Sequence, residues 1–406
     1  FLSFVLLGYT KQELRISELS GDSFTVRLQP STTPIREVHI KARPITVRGD
    51  TLRYRVKAFA GKRDRYLEDV IKKLPGVEVK ENGRIEYQGT PINKFYIEGL
   101  DALQGRYGIA TNNISAKDVA TVQVLENHQP VKALEKTQPS SDAAINLKLK
   151  DEVKGTFSMT AQLGLGYDGR VRRSEELIGL YFSKLRQHVL TAKSNDNGED
   201  IRRELRSFTA DSPLPSLTMT SLQQPDEPRI SRPRYYDNDT HAFSSNNLYK
   251  LKNEAELNAN LIFFHDRERT HGASQTTYFL PEGTKVISED LRNRGTIDQL
   301  EGELRYNINK EQLYFNNLLE LKASWEQEHG IVSAGEDLTQ QMRQRYLSAT
   351  NTSHWVRTKA DGKGGEILWR NAVATSPHRL SIQPGLYAPR INGGAPYAEL
   401  TQDVRH

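Results

Sequence analysis

The sequence predicts a mainly β protein, in which a small α+β domain is followed by a long antiparallel meander of strands. From residue 155 onward, apolar and polar side chains alternate in one segment after another, as in strands with one apolar and one polar face. Tight and long connections between these segments also alternate, which in a meander gathers the long ones at one end. A soluble β-sandwich has no reason to do this, so the pattern favours a transmembrane β-barrel while leaving the soluble alternative open.

Composition narrows the possible classes of protein. The chain has 406 residues, a net charge of +5 and a hydrophobic fraction of 36%. Its apolar runs are all shorter than the ~18 residues that a membrane helix needs, which excludes helical membrane proteins. Because the chain has no cysteine, a disulfide framework, a zinc finger, an iron–sulfur centre and a thiol nucleophile are also excluded.

Residues 1–42 are predicted to form short strands that end a small β-domain. The apolar opening favours a strand over the tail of a signal peptide, because no small-x-small cleavage site follows it. Phe24, Val26 and Leu28 then alternate with polar residues, which predicts a second strand. Residues 43–57 are rich in arginine and are predicted to be a basic linker.

Residues 58–153 are predicted to be the mixed α+β domain. A helix is expected from Arg65 to Leu74, where apolar residues recur at helical spacing. Asn82-Gly83 is a hairpin-turn dipeptide between two short strands. Ser115, with an acidic residue three positions later, has the spacing of a capping box that begins a second short helix. Strands are expected at 77–80, 84–87, 95–97, 121–125 and 144–150.

Residues 154–406 are predicted to be the meander, with about ten strands. They are placed at 155–167, 174–183, 186–194, 240–251, 254–266, 294–308, 311–326, 340–350, 366–375 and 379–387. Long connections are placed at 195–237, 267–293 and 327–338. Tight connections are placed at Lys184-Leu185, Lys252-Asn253 and Asn309-Lys310.

No motif in the chain indicates catalysis. The segment from Gly164 to Gly169 matches the glycine pattern of dinucleotide-binding folds, but the acidic residue expected ~20 positions later is missing and the segment favours a hairpin turn. The histidines lack metal-ligand spacing. The basic linker lacks the interleaved aromatic residues of a nucleic-acid site. We therefore predict no enzyme activity, no catalytic, cofactor or metal site, and no nucleic-acid partner.

Short motifs along the α+β domain, taken in order, resemble the plug domain of TonB-dependent outer-membrane receptors. They are Leu74-Pro75-Gly76-Val77, Asn82-Gly83-Arg84-Ile85, Tyr96-Ile97-Glu98-Gly99-Leu100-Asp101 and Thr121-Val122-Gln123-Val124-Leu125-Glu126. Where plugs of this family usually read Val-Asp-Gly, this chain reads Ile97-Glu98-Gly99. The opening resembles the last strands of the carboxypeptidase-regulatory-like β-sandwich that precedes the plug in one branch of the family. Its matching pieces are Gly8-Tyr9-Thr10, Val26-Arg27-Leu28-Gln29-Pro30 and Arg36-Glu37-Val38-His39-Ile40.

The resemblance implies a plugged barrel of about 22 strands that imports an external nutrient. In this family an inner-membrane TonB-type protein pulls on an extended box between the small domain and the plug. The residues in the matching place are Glu37, Val38, His39, Ile40, Lys41 and Ala42. Strand addition to a partner suits their alternating side chains, although an ordinary last strand of the β-domain fits them equally well.

The resemblance also implies a location and further partners. The barrel would lie in the outer membrane of a Gram-negative bacterium, in contact with lipid, with the plug and the N-terminal domain on the periplasmic side. A surface lipoprotein could cap it. Since ten strands are fewer than half of such a barrel and an open edge cannot face lipid, we expect the chain to be an internal fragment. The alternatives are an outer-membrane or surface adhesion barrel without energy coupling, and a soluble β-rich carbohydrate-binding protein.

Overall fold

The computed structural model describes most of the chain. The described residues are 1–18, 21, 23–31, 43–208, 222–335, 337–359, 363–383 and 398–405. The predicted box, Glu37 to Ala42, therefore lies outside the described residues. The chain divides into two compact units, Phe1–Arg43 and Pro44–His406. None of the helices in the described ranges has the length and apolar character needed to cross a membrane.

The first unit contains a two-stranded antiparallel sheet. Strand β1 (Leu2–Phe4) pairs with β2 (Gln12–Leu14), and a 3-10 turn follows at Ile16–Glu18. The strand predicted in the apolar opening is confirmed. The strand predicted from Phe24 to Leu28 is wrong, because these residues form no ladder within the described part of this unit and Phe24 is half-exposed. Alternation alone does not supply the hydrogen-bonded neighbour that a strand requires.

The second unit begins with a mixed α+β region around two small sheets. Its elements are β3 (Ile45–Arg48), β4 (Thr51–Arg55), α1 (Val56–Phe59), α2 (Leu67–Ile71), β5 (Val77–Val79), β6 (Ile85–Tyr87), β7 (Thr90–Pro91), β8 (Lys94–Ile97), α3 (Gly108–Asn113), β9 (Val119–Leu125) and β10 (Ala144–Leu149), with 3-10 turns at Ala116–Asp118 and Lys132–Leu134. One sheet has the strand order β3-β4-β9-β10-β8, in which β8 and β10 are parallel; the other is the meander β5-β6-β7.

Apolar side chains of the helices and strands form the core of this region. Leu67, Val70 and Ile71 of α2 are fully buried, at the 3-4 spacing that predicts the helix. The predicted hairpin is confirmed, since Gly83 takes the positive φ of 89° that its turn requires. The capping box is wrong in detail: Ser115 accepts a hydrogen bond from the backbone of Lys117 and begins only a 3-10 turn.

The residues predicted to be a basic linker instead form a hairpin. Strands β3 and β4 pair with each other, and β4 also pairs with β9. The side chain of Tyr54 is buried and donates a hydrogen bond of 2.8 Å to the carbonyl of Pro75. Arg53 and Arg55 alternate with Leu52 and Tyr54, which is the period-2 pattern of a strand. The high density of arginine in this segment had instead favoured a linker.

The rest of the unit is one ten-stranded antiparallel sheet in which each strand pairs with its neighbours in sequence. Its strands are β11 (Phe157–Tyr167), β12 (Val171–Phe182), β13 (Arg186–Asn195), β14 (Asp237–Lys250), β15 (Ala255–Leu280), β16 (Gly283–Asn309), β17 (Leu313–Ser333), β18 (Asp337–Thr358), β19 (Gly364–Ile382) and β20 (Ala398–Arg405). Helix α4 (Arg202–Leu205) lies in the long connection between β13 and β14, and 3-10 turns occur at Arg232–Arg234 and Lys252–Glu254. The mainly β fold and the long antiparallel meander are confirmed.

Several predicted boundaries in the meander are wrong. Residues 267–293 and 327–338, predicted as long connections, are mostly the extended hairpins β15–β16 and β17–β18. Their ends carry apolar residues such as Phe279, Val332 and Leu338, but not in the sustained apolar–polar alternation that predicts a strand, and the ladder pairs them nonetheless. The strands predicted at 366–375 and 379–387 join in one strand, β19, which ends at Ile382; residues 384–387 lie outside the described part of the chain, and β20 was not predicted. Pro377 lies inside β19, and the ladder to β18 is interrupted beside it.

The register assigns every side chain of the sheet to one of two faces, because directly paired residues of an antiparallel ladder point the same way. On the outer face, Leu163 and Leu165 are 82% and 83% exposed. We define the apolar band by these outer-face residues: Met159, Leu163, Leu165, Leu177, Leu190, Leu261, Phe263, Leu300, Leu304, Leu321, Leu347 and Val373. The inner face is buried and polar, with residues such as Gln187, Thr191, Ser244, Asn246, Asn258 and Asn260.

Aromatic side chains border the apolar band at the end of the sheet that carries the tight turns. On the outer face these are Tyr181, Tyr249, Tyr306, Phe315, Trp355 and Trp369. Phe315 and Trp325 lie ten positions apart on the same face of β17. That spacing corresponds to ~33 Å along a strand, or ~25 Å along the axis of a barrel whose strands tilt by ~40°.

Candidate functional site

The α+β region lies against the inner face of the sheet, and a buried arginine is the strongest link between them. Arg106, 2% exposed, follows β8 and precedes α3. Its two terminal nitrogens donate to the carboxylate of Glu303 on β16 at 2.8 and 2.7 Å, and one of them also donates to Glu301 at 3.0 Å. Asn260 donates to Glu303 from β15 at 3.3 Å. We call Arg106, Glu301 and Glu303 the arginine clamp.

The electrostatics of the clamp depend on both carboxylates. Burial by itself lowers the pKa of Arg106, but the hydrogen bonds and negative charge of Glu303 and Glu301 outweigh burial and raise that pKa above its ordinary value. A bidentate pair with two short bonds fixes orientation as well as distance. The clamp therefore holds the α+β region in one position against β16.

Amide side chains of the inner face add neutral tethers to backbone carbonyls of the α+β region. Gln187 donates to Ile97 at 2.7 Å and Asn258 donates to Asp101 at 2.9 Å. Asn309 donates to Pro130 at 2.8 Å. These bonds come from three different strands. Because amides carry no charge, exchanging these hydrogen bonds for hydrogen bonds to water changes the free energy little. Such contacts suit an interface whose two sides can separate.

The long connection between β13 and β14 also rests on the α+β region, through α4. Arg203 contacts Glu68 of α2 at 3.0 Å, and Glu204 accepts from Asn113 of α3 at 3.1 Å. A Cβ on Gly108 would lie 3.0 Å from the carbonyl oxygen of Glu204, so the close approach needs glycine. Burial raises the pKa of Glu204 in spite of its contact with Lys193.

Residues just beyond α4 continue this contact. The ring of Phe208 stacks on Tyr107 with centroids 5.0 Å apart, and the backbone N–H of Phe208 donates to Gly105 at 3.1 Å. Farther along the same connection, Leu222 is buried against Met342 and Leu380 of β18 and β19. The connection thus contacts both the α+β region and the inner face of the sheet at β18 and β19.

The turn carried by the Ile97-Glu98-Gly99 motif is held from within the α+β region. Glu98 and Gly99 both have positive φ, 53° and 82°. The Glu98 carboxylate accepts from the backbone of Leu149 at 2.7 Å, and the Gly99 N–H donates to Asn146 at 2.9 Å. Glu98 and Gly99 thus both anchor this turn to β10.

A half-buried histidine in the segment after β9 contacts β8 and the residue just before β8. His128 contacts Asn93 through Nδ1 at 2.9 Å and the hydroxyl of Tyr96 through Nε2 at 3.3 Å. Burial, together with the positive charge of Lys94, lowers the pKa of His128 to about 4. With the Tyr96 hydroxyl donating to Nε2, the neutral ring satisfies both contacts, whereas protonation would remove the acceptor.

The α+β region is therefore expected to loosen as the pH falls from about 6.5 to about 4. In this window the unfolded chain binds a proton at residue 128 that the folded chain does not, so the contribution of the neutral ring is complete above pH ~6.5 and is lost below it, up to ~3 kcal/mol. Hydrogen exchange of the peptides covering β8 and β9, corrected for intrinsic rates, should increase over this range. His128→Gln should remove most of the increase; an unchanged pH profile in that variant would contradict the assignment.

A charged cleft of about 150 Å³ lies at the end of β12–β15 away from the tight turns. Two of the arginines that line it are paired with aspartates: Arg173 contacts Asp239 at 2.6 Å, and Arg170 contacts Asp237. No group of three or more histidine, aspartate or glutamate side chains within the described residues could hold a metal ion. His265 and His271 each contact their own aspartate, Asp298 and Asp290.

Neither the clamp nor α4 was predicted from the sequence. A signal was available for Glu301 and Glu303, because two carboxylates stand next to each other on one face of a predicted strand. Arg106 carried no such signal, since an isolated arginine is usually exposed. The segment from Gly164 to Gly169 lies at the end of β11 and its turn to β12, as the hairpin interpretation predicts.

Comparisons with known proteins give similarities to solved structures only. No family model matches this chain, and no curated protein matches it. The ferric yersiniabactin uptake receptor FyuA from Yersinia pestis is 11% identical over 89% of this chain and 61% of its own, with a TM-score of 0.39. The ferric-catecholate import receptor Fiu from E. coli K12 is 10% identical over 89% of this chain and 66% of its own, with a TM-score of 0.26. The siderophore receptor PirA from Pseudomonas aeruginosa is 13% identical over 84% of this chain and 66% of its own, with a TM-score of 0.26. The chain spans less than two thirds of the length of each.

Proposed function

We propose that the chain belongs to an outer-membrane receptor that binds an external nutrient and imports it through a plugged β-barrel. Residues 58–153 would be the plug and residues 154–406 the N-terminal portion of the barrel. The observation that carries this proposal is the two-faced sheet: an exposed apolar band bordered by aromatic residues on one face, and a folded α+β region held on the polar other face. The apolar face fits contact with lipid, and the polar face fits a barrel lumen that is filled by the α+β region.

The orientation follows from the connections. In outer-membrane barrels the short turns are periplasmic and the long excursions are external. The chain enters β11 at the tight-turn end of the sheet, beside the turn between β12 and β13. The α+β region and the N-terminal domain would therefore lie on the periplasmic side. The long connection carrying α4, and the β15–β16 hairpin, would face the outside, where a ligand arrives.

Import would need energy from an inner-membrane TonB-type protein, and we propose Glu37 to Ala42 as its binding segment. The mechanism that the geometry supports is a plug held by separable contacts: one charged clamp, neutral amide tethers, and α4. Ligand captured by the external connection would act on the plug through α4. A TonB-type protein that pulls on the box would act on the plug from the periplasmic side. We assign no catalytic step to this protein. A surface lipoprotein remains a proposed additional partner.

Site-specific cross-linking tests the proposed coupling. Because the chain has no cysteine, Ile40→Cys introduces a single thiol into the proposed box. Co-expressed with the host TonB-type protein carrying one cysteine at the edge strand of its periplasmic domain, this variant should form a disulfide-linked product. Thr10→Cys, in the preceding domain, is the matched control and should form none. Equal products from both variants, or none from Ile40→Cys, would favour an adhesion barrel without energy coupling.

A further inference from the structure

Two glutamates lie on either side of a glycine on the inner face of the sheet, toward the end away from the tight turns. The register pairs Gly295 of β16 with Glu268 of β15 on one side and with Glu328 of β17 on the other. A Cβ on Gly295 would lie 3.4 Å from Cγ of Glu268 and 3.6 Å from Cγ of Glu328. Both side chains therefore lean over the glycine, and their negative charges border one shared space.

The surrounding inner face supplies no positive charge to these two glutamates. Their direct and diagonal partners on the described neighbouring strands include no lysine or arginine. Besides Gly295, these partners are Asn238, Thr240, Asn293, Ile297, Gln340, Met342 and Gln344. Arg232, which stacks on the ring of Tyr236, is paired with Asp200 at 2.6 Å. The long connection between β13 and β14 brings no cation either, because residues 207–228 contain no lysine or arginine.

The hydrogen bonds that the two glutamates accept come from neutral groups. Glu268 accepts from the hydroxyl of Tyr236 at 3.1 Å, and Glu328 accepts from the side-chain amide of Gln224 at 3.3 Å. Neither glutamate forms an ion pair with a described residue. Burial, and after it the negative charge of Glu268 and Glu326, raises the pKa of Glu328 to about 7. Because a partly buried carboxylate without a cation is unfavourable, a cation bound here would stabilise the arrangement.

Two uncharged side chains in the adjacent row of the inner face add unused oxygens. Asn293 and Thr270 are directly paired. Asn293 is only 8% exposed and its side-chain nitrogen donates to Gln224 at 2.9 Å, yet neither its Oδ1 nor Oγ1 of Thr270 has a hydrogen-bond partner within the described residues. Oδ1 lies 2.6 Å from the position of a Cβ on Gly330, two residues after Glu328 on the same face. A buried oxygen without a donor is unfavourable, so a ligand that donates to it would be favoured.

One exposed side chain of the long connection covers this part of the inner face. Gln224 bonds to Glu328 and to Asn293 at the same time, so its amide lies between the carboxylate and the unpaired oxygen. The next residue, Pro225, packs closely on β15, where a Cβ on Gly272 would lie 2.5 Å from Cβ of the proline. The amide nitrogen of Gln224 marks a position from which a donor reaches Glu328. A positively charged donor there would add Coulomb attraction to both glutamates.

We propose that this part of the inner face binds a primary ammonium group of the external nutrient, which takes the place of the Gln224 side chain. We define the ammonium site as Glu268, Glu328, Asn293 and Thr270. The inference rests on the proposed function and adds the chemical class of the nutrient, an amine. An ammonium group carries three donors on one atom, which suits carboxylate, amide and hydroxyl oxygens around a small space. No three histidine, aspartate or glutamate side chains in the described ranges could hold a metal ion, which favours ammonium over a metal.

Binding of a fluorescein-labelled trilysine peptide to the full-length protein, extracted from the membrane in detergent, tests the proposal. Glu268→Gln with Glu328→Gln removes both charges and keeps the side-chain volume, and by fluorescence anisotropy it should bind the peptide at least tenfold more weakly. The matched control, Asp226→Asn with Glu227→Gln, removes two exposed negative charges from the same connection and should change the Kd less than twofold. The peptide with acetylated amines should not bind detectably.

A second variant tests the displacement of the covering side chain. Gln224→Ala leaves both glutamates in place and changes only an exposed residue. Because no amide then has to be displaced, the peptide should bind severalfold more tightly. Unchanged or weaker binding would show that the amide does not occupy the ligand's position, and the proposal would fail.

Other results would also overturn the proposal. One is binding of the double glutamate variant equal to wild type, and another is an equal loss in the control variant, which would mean diffuse attraction. Displacement of the peptide by calcium chloride, at an ionic strength at which sodium chloride leaves it bound, would mean a metal site. A wild-type protein found only in the soluble fraction would instead refute the proposed function. Membrane-located protein that does not bind the peptide would refute only the ammonium site.

Discussion

Replacing Arg106 with methionine is expected to weaken the attachment of the α+β region to the sheet by about 3–5 kcal/mol. The substitution keeps much of the side-chain volume but leaves Glu303 buried beside Asn260 without its cation. An unpaired buried carboxylate costs far more than a lost neutral hydrogen bond. The expected result is faster hydrogen exchange in peptides covering residues 100–115, measured by mass spectrometry on the membrane-extracted protein. Arg63→Met, at an exposed position, is the control and should leave exchange unchanged.

A second substitution separates the clamp from general packing. Glu303→Leu alone leaves Arg106 buried with only Glu301, whereas Arg106→Met with Glu303→Leu removes both buried charges. The double variant should therefore be less destabilised than either single variant. Replacing both buried charges by apolar side chains costs less free energy than removing one charge and leaving the other buried without its partner. Glu301, a third exposed, remains solvated. If the three variants lose stability additively, the clamp is not a coupled pair and the interpretation fails.

The sequence was sufficient where local chemistry decides the structure. The helix spacing of Leu67, Val70 and Ile71 and the Asn82-Gly83 turn each correspond to an observed element. The alternation of β11 predicts both its strand and its outer face. In these places the hydrophobic pattern and the turn residues agree with the fold, so no long-range information is needed.

The sequence was insufficient where distant segments decide. The outer halves of β15 and β16 have no continuous apolar face, and pairing with neighbouring strands makes them strands. Pro377 suggests a break, yet β19 continues through it because β20 pairs on the other side. The clamp joins residues almost two hundred positions apart, and α4 reaches α3 only once the sheet positions both. A pattern within a short stretch of sequence does not show which distant residues it will contact.

Replacing Leu321 with arginine is expected to prevent most of the protein from reaching its folded form in the outer membrane. Leu321 is half-exposed on the outer face of β17, in the middle of the apolar band. Its direct partners are Gly302 on β16 and Ala349 on β18, so a longer side chain meets no steric obstacle. The cost is the transfer of a charge into hydrocarbon, ~2–4 kcal/mol at the midplane of a barrel.

The matched control introduces the same residue on the same face of the same strand. Gln327→Arg lies just beyond Trp325, outside the apolar band, and should leave the protein in the outer membrane. The measurement is fractionation followed by gels of boiled and unboiled samples, where a folded barrel shifts on heating. A soluble β-protein would behave oppositely, because arginine at an exposed leucine in water is neutral or improves solubility. The difference between the two variants therefore reports the lipid boundary itself: a loss confined to Leu321→Arg requires a hydrocarbon layer that ends between residues 321 and 327.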